Sequence, residues 1–232
     1  MSIHDGHRER IKKRYREEGL DNFDPHQVLE LLLFYCIPRQ DTNPLAHRLL
    51  DTFGSLTNVL NASPAELKRV EGVSDGVSTF LTMFSAVDRY CGIREAQEVT
   101  VLKTVDDCGN YLMPYFSRLS RETVYLLCMD AKCEVLCCKR IGEGSVNSAA
   151  VPIRRIVELA LEEGASVAVL AHNHPSGVAV PSGDDVQTTR RLAVALDAVG
   201  IELLDHIIVA GDEYVSLLQS GYYDPKQCRL LV

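Results

Sequence analysis

What this chain of 232 residues lacks narrows its function first. It has no apolar run approaching the roughly 20 residues a membrane-spanning helix needs, so no membrane span or membrane partner is expected. Its N-terminus opens on polar and charged residues without the apolar core of a secretory signal, which points to the cytoplasm. A basic excess is missing as well. The 24 Lys and Arg stand against 32 Asp and Glu, and the net charge of −8 argues against broad electrostatic binding to nucleic acid. There is no disulfide framework either: eight cysteines at irregular spacing, without secretory context, read as reduced thiols. Cys133, Cys137 and Cys138 lie among apolar residues and read as small buried hydrophobes ahead of a second metal site. What remains is ordinary for a globular protein, 46% hydrophobic and 24% charged, in a chain long enough for one large domain or two small ones.

The richest stretch runs from His172 to Asp185. The uncharged, partly β-branched run Ser166–Ala171 predicts a buried strand, and His172 and His174 at its C-terminal end are two residues apart. In extended backbone that spacing puts both imidazoles on one face. Pro175, Gly177 and Pro181 impose an irregular loop, and Ser182-Gly-Asp-Asp185 then opens a helix that Gly200 ends. Two histidines at a strand end, facing an acid in the first turn of the next helix, suit a catalytic zinc with three protein ligands and an open fourth position. Ser182-x-x-Asp185 equally reads as a capping box, and the residues alone leave the ligand and structural readings open.

His172-x-His174, seven residues, then Ser182-x-x-Asp185 resembles the signature of the JAB/MPN (JAMM-motif) zinc metalloenzyme domain, the fold of deubiquitinating isopeptidases. The strings from His172 to Gly177 and from Leu204 to Val209 resemble, more narrowly, the RadC family. This resemblance implies one zinc per chain, held by His172, His174 and Asp185. It implies hydrolysis of a peptide or isopeptide bond in a protein or peptide substrate. It also implies a glutamate base at the start of a strand upstream of the histidines, a place Glu122 holds, with Glu134 and Glu143 as fallbacks. By the same resemblance Ser182 donates a hydrogen bond to the developing oxyanion, worth about 3 kcal/mol if preorganised. Asp205 and His206 match the family's Asp-His pair, either supporting a ligand histidine from behind or serving as buried structure. Asn173 should point away from the metal by strand alternation and brace the loop.

The N-terminal half reads as helices. Residues 8–16 carry six basic groups diluted by acids, and a helix should end near Gly19. Asp24-Pro25-His26-Gln27, Asn43-Pro44 and Ser63-Pro64-Ala65-Glu66 each open a further helix. The turn from Glu71 to Gly76 resembles a helix-hairpin-helix module, but Ser74 replaces its second glycine and Glu71 and Asp75 flank it. A structural hairpin is therefore expected, with at most weak DNA contact.

The polar stretch from Arg94 to Lys103 predicts a boundary, giving a helical domain over 1–97 and a metal-binding domain over 98–232. The first holds 12 basic and 14 acidic groups and the second 12 and 18. A capping box at Thr104–Asp107, a hairpin over 122–129 and 133–140, a helix over 152–163 and strands at 202–210 and 214–218 complete the second domain. The expected class is α+β, a mixed sheet with flanking helices. The main reading is a zinc metallohydrolase. Its rival, of a different class, is a DNA-associated repair accessory in which the zinc is structural. A zinc nuclease fits less well, given the net charge and single metal.

Overall fold

A computed structural model describes residues 3–143 and 152–228. The chain divides into two compact units, Met1–Asp88 and Arg89–Val232. The first is helical: α1 (Ile3–Glu18), α2 (Pro25–Cys36), α3 (Asn43–Phe53), α4 (Leu56–Asn61), α5 (Pro64–Leu67) and the first turns of α6 (Asp75–Ala96). Its starts follow local chemistry. Pro25, Pro44 and Pro64 occupy first-turn positions where their missing N–H costs nothing. The Gln27 side chain accepts from Asp24 N at 3.2 Å, and Glu66 from Ser63 N at 2.9 Å. Leu29, Leu33, Leu49, Leu67 and Leu81 form the core of this unit. The helix α4, which Ser55 starts by accepting from Asn58 N, is an element the sequence pattern does not announce.

In the turn before α6, Gly72 takes a positive φ of 95°. Ser74 Oγ accepts from Val77 N at 3.3 Å and so caps α6, while Lys68 Nζ donates to Asp75 at 2.8 Å. The hydroxyl and the ammonium are thus engaged within the hairpin.

The unit boundary falls inside α6, ahead of the polar stretch. Arg89 explains this, donating to Tyr115 O at 3.1 Å and to Tyr125 Oη at 2.7 Å within the second unit. That unit continues through α7 (Val105–Phe116), β1 (Thr123–Met129), β2 (Val135–Glu143), α8 (Ile153–Glu162), β3 (Val167–Asn173), α9 (Gly183–Asp197), β4 (Glu202–Ala210), β5 (Glu213–Ser216) and α10 (Pro225–Cys228). The five strands form one mixed sheet in the order β2-β1-β3-β4-β5, with only β3 and β4 parallel. This is the α+β class expected.

Strand alternation splits the core. Val124, Leu126, Cys128 and Leu170 pack with Ile156, Leu159, Leu192 and Leu196 of α8 and α9. Tyr125, Leu127, Val169 and Ile207 pack on the other face with Tyr111, Leu112 and Phe116 of α7. All of β1 is buried, because it has a strand on each side and helices on both faces. The three strand cysteines do not converge: Cys133 and Cys138 pack on the α7 face and Cys137 on the opposite one. Among the described residues they form no metal cluster.

Candidate metal centre

The parallel step from β3 through α9 to β4 builds the site. It brings the C-terminal end of β3 and the N-terminus of α9 together, where open α/β sheets commonly hold ligands. His172, His174 and Asp185 gather there, with donor atoms within 4.8 Å of one another; among the described residues no other such group is present. His172 Nε2 lies 2.9 Å from His174 Nε2 and 3.3 Å from Asp185 Oδ1, and His174 Nε2 lies 3.8 Å from Asp185 Oδ2. Two ligands of a tetrahedral zinc stand about 3.3 Å apart, so these separations bracket what the ion needs.

Hydrogen bonding around the group decides where its protons sit. His174 Nδ1 faces the Val178 carbonyl at 2.9 Å, and a carbonyl only accepts, so His174 carries its proton there and leaves Nε2 bare. Behind His172 a chain does the same. Thr189 Oγ1 donates its one proton to Asp185 O at 2.6 Å, so it accepts from His206 Nδ1, also at 2.6 Å. The other His206 nitrogen, Nε2, then accepts from His172 Nδ1 at 2.8 Å, which leaves His172 Nε2 bare as well. Two imidazole lone pairs and a carboxylate face one another with no donor among them. A cation would complete this set, and the donor atoms fit zinc.

Burial keeps the His172 and His206 rings neutral. It presses His172 down to about 4, against the opposing pull of Asp185, and presses His206 well below its ordinary value. Neutral imidazole is the form that binds metal.

Asp185 joins both readings of Ser182-x-x-Asp185. Its Oδ2 accepts from Ser182 N at 2.7 Å and Ser182 Oγ at 2.6 Å, while its backbone N donates to Ser182 Oγ at 3.1 Å. That is a complete capping box, and it leaves Oδ1 turned to His172. The cap thereby orients the carboxylate toward the imidazoles.

The candidate bases separate by register. Val124 pairs with His172 in the last pair of the ladder, so Glu122 lies just beyond it, at the end of the sheet where His174 leaves β3. Glu134 adjoins Val135, which pairs with Met129 at the far end of β1. Glu143 pairs with Thr123 at the near end, but on the opposite face, where Arg140 holds it at 2.9 Å. Asn173 acts as the brace its alternation predicts. Its Oδ1 accepts from Thr123 N at 2.8 Å and its Nδ2 donates to Arg121 O at 3.1 Å, clamping the peptides on either side of Glu122.

Asp205 and His206 divide the two roles left open for them. Successive strand residues face opposite ways, so of the two only His206 reaches His172. Asp205 is buried and accepts from His206 N at 2.7 Å, Leu218 N at 3.0 Å and Ser216 Oγ, tying β4 to the end of β5. Burial holds its carboxyl above the ordinary aspartate value. Sequence reasoning misses Thr189 altogether; its place one turn after Asp185 on α9 is the available signal.

The two variants should therefore fail differently. Asp205→Ala leaves buried donors unpaired and should cost about 3 kcal/mol in denaturant unfolding of the metal-free chain. His206→Leu removes the partner of His172 Nδ1 and should weaken zinc about 10–100-fold in a chelator competition. A His206→Leu chain that binds zinc like wild type would refute the relay.

Comparison with known proteins agrees with this architecture. Residues 102–222 match the family model of the RadC-like JAB domain. A UPF0758 protein of Fusobacterium nucleatum is 33% identical over 223 residues, covering 93% of this chain and 96% of its own length. UPF0758 proteins of Ruegeria pomeroyi and Rhodobacter capsulatus are each 33% identical, over 216 and 211 residues. They cover 93% and 91% of this chain and 96% and 99% of their own lengths. That name carries no activity. Within the described residues no helix is long and apolar enough to cross a membrane.

Proposed function

This chain belongs to the RadC family, and from the donor arrangement of its metal centre we propose that it is a cytoplasmic zinc-dependent hydrolase of peptide or isopeptide bonds. The observation that carries the reading is the meeting of two bare imidazole nitrogens and a carboxylate oxygen, each held from behind by a hydrogen bond. His172, His174 and Asp185 would hold one zinc. Zinc held there would supply a Lewis acid for the amide carbonyl and would lower the pKa of a bound water.

The remaining work falls to the chain. Glu122, partly exposed beside the peptides clamped by Asn173, takes the proton of the attacking water and returns it to the leaving nitrogen. Ser182 has one hydroxyl proton, now given to Asp185 Oδ2. Turning that proton to the substrate oxygen as charge develops there lets the same hydroxyl stabilise the oxyanion, while its lone pair keeps the cap to Asp185 N. The DNA-accessory reading has no comparable support, since Ser74 and Lys68 are engaged within their own turn.

The test is cleavage of linear peptides and of lysine-linked isopeptides by protein loaded with one zinc per chain. Hydrolysis stopped by a chelator and restored by zinc is the expected result. A loaded protein that cleaves no amide would sink the hydrolase reading. Salt-dependent DNA binding that collapses in Lys12→Glu with Lys13→Glu would favour the accessory instead.

A further inference from the structure

On the edge strand β2, Cys137 stands directly opposite Cys128 of β1 in the antiparallel ladder. Directly opposed residues share a face, with Cβ atoms about 4.5–5.5 Å apart. A disulfide needs about 3.5–4.5 Å, so the pair lies within about an ångström of closing without a change of register. Both are free thiols. They differ in surroundings: Cys128 is fully buried in the core beneath α8, whereas Cys137 is partly exposed at its margin. The two thiols are near enough across the ladder to perturb each other's acidity. Lys139 and Glu163, themselves an ion pair, adjoin Cys137.

These neighbours give the sulfurs opposite characters. The neighbouring Cys128, aided by Lys139, pulls the Cys137 thiol below its ordinary value against burial and Glu163. Cys137 and burial together push Cys128 up. Burial also lifts Cys108, to about 12, and lifts Cys138 on the opposite face.

We propose that Cys137 and Cys128 form a peroxide-reactive dithiol, a modification site separate from the metal centre, in which Cys137 is oxidised and Cys128 resolves it. The Cys137 thiolate attacks one oxygen of hydrogen peroxide. The O–O bond breaks, an S–O bond forms, and hydroxide leaves, giving sulfenic acid once the oxygen on sulfur is protonated. Cys128 sulfur then attacks Cys137 sulfur, the S–O bond breaks, and the Cys128 proton leaves with the hydroxyl as water. Two electrons pass from the sulfur pair to peroxide, and the product bond staples the edge strand β2 to β1. A low-molecular-weight thiol reverses it by exchange.

The test uses the full-length reduced chain, sub-stoichiometric hydrogen peroxide, alkylation and peptide mapping without reductant. The expected product is a linked peptide pair carrying Cys128 and Cys137, two hydrogens lighter than the reduced pair and restored by dithiothreitol. Cys137 should be consumed faster than Cys91, although Cys91 is the more exposed of the two. In Cys128→Ala, and in the more conservative Cys128→Ser, dimedone should trap sulfenic acid on Cys137. Oxidation of Cys91 as fast as Cys137, or linkage of Cys137 to a different cysteine, overturns the proposal.

Discussion

Replacing His174 with alanine is expected to strip the purified chain of stoichiometric zinc while leaving its fold in place. His174 follows the last residue of β3 and keeps 17% of its side chain exposed, so truncation opens no core cavity. His172 stays neutral and bonded to His206, and Asp185 stays in its capping box. What disappears is one of three electron-pair donors. The remaining imidazole and carboxylate make a two-donor site, and the loss of affinity should exceed the roughly 100-fold that removal of an outer partner costs. Metal analysis beside thermal unfolding checks both halves. Near one zinc per chain in wild type and little in His174→Ala, with similar unfolding of the two metal-free proteins, is the outcome that fits. Full zinc in His174→Ala would remove His174 from the ligand set, and with it the arrangement on which the hydrolase reading rests.

Much of this centre is legible in the amino-acid sequence, because its signals are local. The i, i+2 spacing of His172 and His174 becomes a shared face once the strand is recognised, and Ser182 with Asp185 marks a helix start whatever else it does. The two readings of that start are compatible. A carboxylate has two oxygens, and the cap occupies one while the other turns to His172. Capping therefore contributes to orienting the carboxylate.

The non-local parts are hidden from the sequence. His206 meets His172 because β3 and β4 pair in parallel, with His206 opposite Leu170. No stretch of sequence encodes that register by itself. The separation of Asp205 from His206 is nearer to hand, since adjacent strand residues cannot both face the same ligand. The clamp of Asn173 on residues 121 and 123 is foreseeable only as a brace, because its partners lie some fifty positions away. In the helical unit, α4 escapes for a different reason. Six residues are too few to display a helical period, and only the Ser55 cap marks it.

The choice of base also depends on register, and it gives the largest expected change in rate. Glu122→Gln keeps the shape of the side chain and removes its capacity to accept a proton. If Glu122 moves the proton in hydrolysis, kcat should fall about 10²–10⁴-fold, a rise in barrier of about 3–5.5 kcal/mol. Zinc content should not change, because Glu122 is not among the proposed ligands His172, His174 and Asp185. Glu134→Gln should be indistinguishable from wild type, since that residue sits at the opposite end of β1. Glu143→Gln removes the partner of Arg140 on the other face of the sheet and should cost little in rate. Asn173→Ala, which releases the peptides flanking Glu122, should keep the metal and lower kcat by less than Glu122→Gln does. Combined with Glu122→Gln it should add almost nothing, because a clamp without a base has nothing to position. Turnover and zinc content measured on these variants decide the matter together. A large loss in Glu143→Gln with wild-type rates in Glu122→Gln would move the base to the other face of the sheet, and the ladder between β1 and β3 gives no route for a proton from there to the metal centre.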